Sequence, residues 1–198
     1  MSETPLASLI GDLADRTAEV RQNAAAEIFR RGRELAMSGA REWLEDQEFA
    51  KCLSVSGGAP LLTVGVAVSP KQFEEIRGAN GLPELASVPP DQDAKEFELE
   101  FRGGLRLDIL TSRDPSGSGA IARYLQKFHE GIQQIEIETK NIDEATRILR
   151  TKFGIQPVYP TTRAGANGTR VNFWLVTSPG SQKVLIELVE QPQPSAKH

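Results

Sequence analysis

An internal repeat between residues 61 and 190 constrains the fold more than any other feature of the sequence. The pattern LTVGVAV in the first copy aligns with QQIEIET in the second, and LDIL aligns with IELV. This alignment places Thr63 over Gln134 and Asp108 over Glu187. In each copy, alternating apolar residues typical of strands stand on both sides of one amphipathic helix. The sequence therefore predicts an α+β fold in which two tandem βαβββ modules form a cleft-shaped mixed sheet.

A helical segment precedes the repeat. The stretch TAEVRQNAAAEIFRRGRELAMSG has apolar residues at helical spacing, and Gly39 is its expected C-cap. The Gly- and Pro-containing stretch VSGGAP separates this segment from the strands. We predict an N-terminal helical extension at 1–57, a two-module domain at 58–192 and a disordered tail at 193–198. Within the two-module domain, module one spans 60–113, a linking helix spans 117–130 and module two spans 131–190.

Charge and hydropathy limit the partners of the chain. The 198 residues include 23 basic and 27 acidic ones, a net charge of −4, so we expect no nucleic-acid partner, which would require a basic surface. No apolar run approaches the ~20 residues that span a bilayer, and the N-terminus lacks the basic start of a signal peptide. We therefore expect a cytoplasmic protein with no membrane partner. Cys52 is the single cysteine and can form no disulfide within the chain.

The four aligned positions indicate where a site could lie. Thr63 and Gln134 lie on the first strand of each predicted module, and Asp108 and Glu187 lie on the last. If the modules pair about a pseudo-twofold axis, all four side chains face one cleft. Both carboxylates stand between apolar neighbours, so each faces either solvent or a polar cavity, because an unpaired charge in the core is too costly. The residues alone leave these two alternatives open.

Several segments point to a known family. They are EGIQQIEIETKNIDEATRILRTKFGIQPV, RAGANGTRVNFWLVTS, KVLIELVEQ and the linker LDILTSRDPSGSGAIARYLQKFHEGI. These segments resemble methylmalonyl-CoA epimerase, a member of the vicinal oxygen chelate superfamily, which also includes glyoxalases, bleomycin-resistance proteins and extradiol dioxygenases. The resemblance covers about residues 60–190 and is weakest from 61 to 104. It implies a cleft between the modules that binds or transforms a small molecule.

The resemblance also places the family's metal site, at Thr63, Asp108, Gln134 and Glu187. This chain departs from the family pattern, because GIQQ stands where the epimerases have GxHH, and Thr63 replaces the other histidine. The remaining donors are all oxygens, which suit Mg²⁺, Mn²⁺ or Ca²⁺ better than Co²⁺, Zn²⁺ or Ni²⁺. The loss of both histidines favours weak divalent-metal binding or none, so the cofactor stays undetermined.

Catalytic and ligand-binding roles follow from the same resemblance. Glu187 or Asp108 would be the base that moves a proton. The glycine-rich loop TTRAGANGT and the strand after it would contact the ligand, although the loop could equally be a hairpin connection and Trp174 a core residue. Alternation along a strand does not decide which face lines the cleft. The predicted ligand-binding residues are Arg163, Asn167, Arg170 and Trp174.

Three functions are consistent with these patterns. The first is a glyoxalase- or epimerase-like protein, divergent at the metal site, that acts on or binds a small carboxylate or thioester. The second is a non-catalytic module that binds a small molecule without a metal, as antibiotic-resistance members of the superfamily do. The third is a regulatory or scaffolding protein in which the N-terminal helices dock a partner or form a homodimer.

Overall fold

The computed structural model describes residues 3–177 and 183–192, so the tail predicted at 193–198 lies outside the described residues. The helices are α1 (Leu6–Asp12), α2 (Ala18–Leu44), α3 (Gln47–Ala50), α4 (Pro70–Ala79), α5 (Ala120–Phe128) and α6 (Ile142–Thr151). The strands are β1 (Val55–Ser56), β2 (Ala59–Pro60), β3 (Leu62–Ala67), β4 (Lys95–Phe101), β5 (Leu105–Thr111), β6 (Gly131–Thr139), β7 (Arg163–Ala164), β8 (Arg170–Thr177) and β9 (Lys183–Glu190).

A seven-stranded mixed sheet in the order β4-β5-β3-β6-β9-β8-β7 unites the two modules. The first strands of the modules, β3 and β6, are antiparallel neighbours near its centre. Each of them pairs in parallel with the last strand of its own module, β3 with β5 and β6 with β9. A separate small sheet contains β1 and β2. The predicted α+β fold of two related modules on one cleft-shaped sheet is confirmed.

The second strand of each module is reduced. Residues 82–94 of module one form no regular strand, because three prolines in this segment lack the N–H that a strand donates. The segment nevertheless runs beside β4, where the Ala86 N–H donates to the Glu96 carbonyl at 2.9 Å. In module two the corresponding strand is β7, which has two residues. These two segments are the outer edges of the curled sheet.

The long helix α2 covers the outer face of the sheet and continues through Gly39, where the sequence predicted a C-cap. A Cβ atom at Gly39 would lie 2.5 Å from Val176 Cγ2, and one at Gly32 would lie 2.5 Å from Val64 Cγ2. The glycines therefore allow the helix to approach the strands closely. Ile28 of α2 belongs to the same buried cluster as Val64. Within the described part of the chain, none of the helices has an apolar stretch that could cross a bilayer.

We expect Gly32→Ala to lower the free energy of unfolding by about 1–3 kcal/mol, because the added methyl group overpacks the contact with Val64. Gly78→Ala in α4 is the matched control, since a Cβ there meets nothing within 4 Å and the helix propensity improves. Urea unfolding followed by circular dichroism measures both variants. Equal stability of Gly32→Ala and the wild type would contradict the tight packing of α2.

Candidate functional site

A cleft of about 1000 Å³ lies on the inner face of the curled sheet, opposite the face that α2 covers. Its floor includes Asp108 of β5, Gln134 of β6 and Glu187 of β9. Apart from Gln133, which also lines the cleft, the residues that flank these three in sequence, such as Leu107 and Ile186, are fully buried in the core on the outer side. Strand alternation therefore separates an apolar outer face from a polar inner face.

Glycine at position 65 makes room for this floor. In the sheet, Gly65 of β3 is the register partner of both Asp108 and Gln134, one on each side. A Cβ at Gly65 would lie 2.5 Å from Gln134 Cγ, so the absence of a side chain lets the Gln134 side chain lie across the strand. Thr63, two residues earlier on β3, is buried and faces the same side. The structure thus brings the four repeat-related residues onto one face.

Gln134 connects the carboxyl groups of the second module. Its Nε2 donates to Glu187 Oε2 at 2.6 Å and to Glu136 Oε1 at 3.2 Å. Glu136 and Glu187 are register partners on the parallel strands β6 and β9, which explains why one amide reaches both. The amide nitrogen neutralises part of the repulsion between two neighbouring carboxylates.

Asp108 has no comparable donor. Its residue is 8% exposed, it lines the cleft, and within residues 3–177 and 183–192 its carboxyl group accepts no hydrogen bond. Burial, followed by the nearby charge of Glu136, raises the pKa of Asp108 well above its ordinary value. Burial likewise raises the pKa of Glu187 well above its ordinary value, with Glu136 again contributing. Burial thus favours the neutral form of both carboxyl groups.

Sequence reasoning missed three further acids of the cleft. Glu136 and Glu96 line the cleft, and burial raises the pKa of each to about 7. Glu98, on β4, is the register partner of Asp108 and is more exposed. The signal for all three was present in the strands KEFELEF and IQQIEIET, where acids alternate with buried apolar residues. Because the apolar residues of these strands face the core, the acids that alternate with them must face the opposite, inner side of the sheet.

The donor set does not fit the family's divalent metal. The residues are hydroxyl, amide and carboxyl groups with no imidazole, and the Gln134 amide nitrogen is directed at two of the carboxyl groups. In the described part of the chain, no three His, Cys, Asp or Glu side chains are grouped as metal ligands. Imidazole is the ligand that Zn²⁺, Co²⁺ and Ni²⁺ favour. The side chains of the cleft themselves are therefore the groups that can move a proton there.

Two of the predicted ligand-binding residues, Arg163 and Asn167, line the cleft at its mouth. The Arg163 guanidinium lies 4.6 Å from the centre of the Tyr159 ring and pairs with Asp91 at 2.6 Å. Asn167 follows β7 with a left-handed φ of 52°. The glycine-rich loop thus reaches the cleft, and its contact with a ligand stays a prediction.

Arg170 and Trp174 are placed elsewhere. Arg170 is held on the surface by ion pairs with Asp143 at 2.8 Å and Glu190 at 3.2 Å, and it does not line the cleft. Trp174 is 0% exposed and packs in the core with Ile186, on the outer side of β8. The aromatic side chain that β8 presents to the cleft is that of the neighbouring Phe173. The alternative of core packing therefore describes Trp174, because alternation turns it away from the cleft.

The fold and this floor define a class of two-module proteins with one acid-lined cleft, and similar solved structures identify its family. A methylmalonyl-CoA epimerase from Mycobacterium tuberculosis aligns with a TM-score of 0.55 and 30% identity, over 71% of this chain and 94% of that chain. The hypothetical protein BH1468 from Bacillus halodurans C-125 aligns with a TM-score of 0.54 and 27% identity, over 68% and 96%. The chain belongs to the vicinal oxygen chelate superfamily, with methylmalonyl-CoA epimerases among its structural neighbours.

A more distant neighbour shows the fold alone. A methylmalonyl-CoA epimerase in complex with methylmalonyl-CoA and NH4+ aligns with a TM-score of 0.51 and 24% identity, over 66% of this chain and 93% of that chain. No family model and no curated protein matches the sequence.

Proposed function

We propose that the chain binds a small carboxylate or thioester in the cleft and moves a proton at the carbon beside its carbonyl group. The observation that supports this is that Asp108 and Glu187 occupy equivalent positions in the two modules and both face one cleft. A proton-transfer site needs one group that holds a proton and one that accepts a proton. The relative from Mycobacterium tuberculosis is named as an epimerase of a CoA thioester.

The surroundings of the two carboxyl groups assign their roles. Of the two, Glu187 accepts a hydrogen bond from the Gln134 amide, and such a bond favours the ionised form relative to Asp108, so we assign the role of proton acceptor to Glu187. Asp108 receives no such bond in the described residues, and burial favours its neutral form, whose O–H can donate to a carbonyl oxygen. A buried carboxylic acid of this kind stabilises an enolate oxygen as it gains charge.

Hydrogen–deuterium exchange at the substrate carbon tests this proposal. The wild type is incubated in D₂O with propionyl-CoA, methylmalonyl-CoA or free propionate, and mass spectrometry follows uptake at the carbon beside the carbonyl. We expect exchange with at least one compound, and a loss of about 100-fold or more in Asp108→Asn and Glu187→Gln. The control is Glu74→Gln, an exposed acid on α4. Exchange that survives both cleft substitutions would contradict the assigned roles.

The replacement of both family histidines favours a second candidate, a non-catalytic binding module. It predicts that these compounds, or other small molecules, raise the melting temperature without any exchange at carbon. Thermal shift on the same variants separates the two functions. A non-catalytic binding module would lose affinity for the small molecule in Asp108→Asn, but neither the wild type nor any variant would catalyse exchange at carbon. The homodimer and the cytoplasmic location stay predictions.

A further inference from the structure

The two outer edges of the sheet are tied to each other across the mouth of the cleft. One edge is the segment 82–94 beside β4, and the other is the loop 163–169, which includes β7. Asn167 joins them twice, because its own N–H donates to the Ser87 carbonyl at 3.0 Å and its Oδ1 accepts from the Ser87 N–H at 2.8 Å. One asparagine therefore pairs with the opposite backbone in the way that a strand residue would.

Two further contacts complete this connection. Gln92 Nε2 donates to the Ala164 carbonyl at 3.0 Å, and Arg163 pairs with Asp91 at 2.6 Å. Side chains from both segments line the cleft, so the connection crosses its open side between the two edges of the sheet. We call these contacts the clasp: Ser87, Asp91 and Gln92 on one edge, and Arg163, Ala164 and Asn167 on the other.

The clasp is weaker than the sheet that it closes. Its ion pair is exposed, with 37% of the Arg163 and 61% of the Asp91 side chain accessible, and exposed ion pairs contribute little stability. In the segment 82–94 the clasp residues Ser87 and Asp91 are exposed, whereas Val88 and Ala94 are buried in a small cluster with Leu110 and Ile121. The clasp contacts can therefore break while that cluster stays packed. The central strands β3 and β6, by contrast, are bonded on both sides along their lengths. Segments with few buried contacts open locally while the core stays folded.

We propose that the clasp is the gate of the cleft: small molecules reach Asp108 and Glu187 when Asn167 and Asp91 release their partners on the opposite edge. This inference rests on the proposed function only in taking the cleft as the ligand site. While the clasp is closed, Asp91 engages Arg163 Nη2, and Ser87 engages Asn167 Oδ1 and its backbone N–H. Opening of the clasp would therefore admit a ligand and at the same time free these groups of Arg163 and Asn167 to bind it.

Chemical labelling of the floor carboxyl groups tests the gate without any knowledge of the ligand. The intact protein is treated with a water-soluble carbodiimide and glycine ethyl ester, and mass spectrometry measures labelling rates at Asp108 and Glu187 relative to exposed Glu74. We expect slow labelling of the floor in the wild type. Asp91→Asn combined with Asn167→Gly should label the floor about tenfold faster, since the loss of two or three polar contacts favours the open state.

The choice of variants keeps the result interpretable. Glycine at 167 accepts the left-handed backbone and removes only the side-chain acceptor. Asp143→Asn is the matched control, because it breaks an exposed Arg–Asp pair of the same kind, with Arg170, away from the cleft. Floor labelling as fast as that of Glu74 in the wild type, or unchanged in the double variant, would overturn the gate. Failure of the proton-transfer proposal leaves these rates unaffected, so the two failures are distinguishable.

Discussion

The free energy of unfolding should increase when the pH is lowered from about 8 to about 5, the reverse of ordinary acid denaturation. Four acids in the cleft cause this. Burial raises the pKa of Glu96 and Glu136 from 4.5 to about 7, and it also raises the pKa of Asp108 and Glu187 well above their ordinary values. The folded protein therefore binds protons at a pH where the unfolded chain has released them.

The direction of the effect follows from proton linkage. Stability falls with rising pH wherever the folded state binds more protons than the unfolded state. For Glu136 this window extends from about 4.5 to about 7, and it corresponds to on the order of 3 kcal/mol. The contribution is fully present below the unfolded pKa and is lost as the pH rises through the folded pKa. Glu27, whose pKa Arg30 and Arg31 lower to about 2, acts oppositely but at lower pH.

Urea unfolding at a series of pH values measures this dependence. Glu136→Gln should flatten the slope, because glutamine does not titrate, and the variant should be more stable than the wild type at about pH 8. Asp108→Asn and Glu187→Gln should likewise keep the fold intact. Glu74→Gln on exposed α4 should retain the full slope. If stability instead rose with pH between about 5 and 8, the floor carboxyl groups would be solvated or paired with cations.

Much of the fold and part of the site could be predicted from the repeat. Equal spacing within two modules requires equivalent strands, so Asp108 and Glu187 had to face the same side once the modules shared a sheet. The period of two along a strand then determines every side chain on that strand. Glu136, two residues after Gln134, obeys the same rule, but the family resemblance assigns a metal ligand only to Gln134 on this strand.

Other features depend on contacts between residues that are far apart in sequence. Asn167 and Ser87 are 80 residues apart, and no local pattern indicates that they meet. Gly39 resembles a helix C-cap in sequence, but the proximity of Val176 gives it a packing role within α2. Arg170 resembles an anion ligand until Asp143 and Glu190 are seen beside it. Local sequence patterns predict helices, strands and the side of a strand that is buried, whereas the contacts of each side chain depend on the assembled fold.

The largest effect of a single substitution is expected at Trp174. Its ring is fully buried on the outer side of β8, so Trp174→Ala should lower the free energy of unfolding by about 3–5 kcal/mol. Trp174→Phe should be milder, because it keeps most of the volume and removes an indole N–H that has no acceptor among the described residues. Urea unfolding at one pH compares the variants.

Phe173→Ala is the matched control for this prediction. Phe173 is the preceding residue on the same strand, it is partly exposed, and it contacts Tyr159 at the cleft with ring centres 5.9 Å apart. We expect this substitution to be far less destabilising than Trp174→Ala, yet to change access to the floor carboxyl groups, which Trp174→Phe should leave as in the wild type. If Trp174→Phe kept the stability of the wild type but changed the labelling rates of Asp108 and Glu187, Trp174 would line the cleft and the core position would be contradicted. Adjacent aromatic residues thus serve opposite faces of one strand, and only the inner one can meet a ligand without unfolding the core.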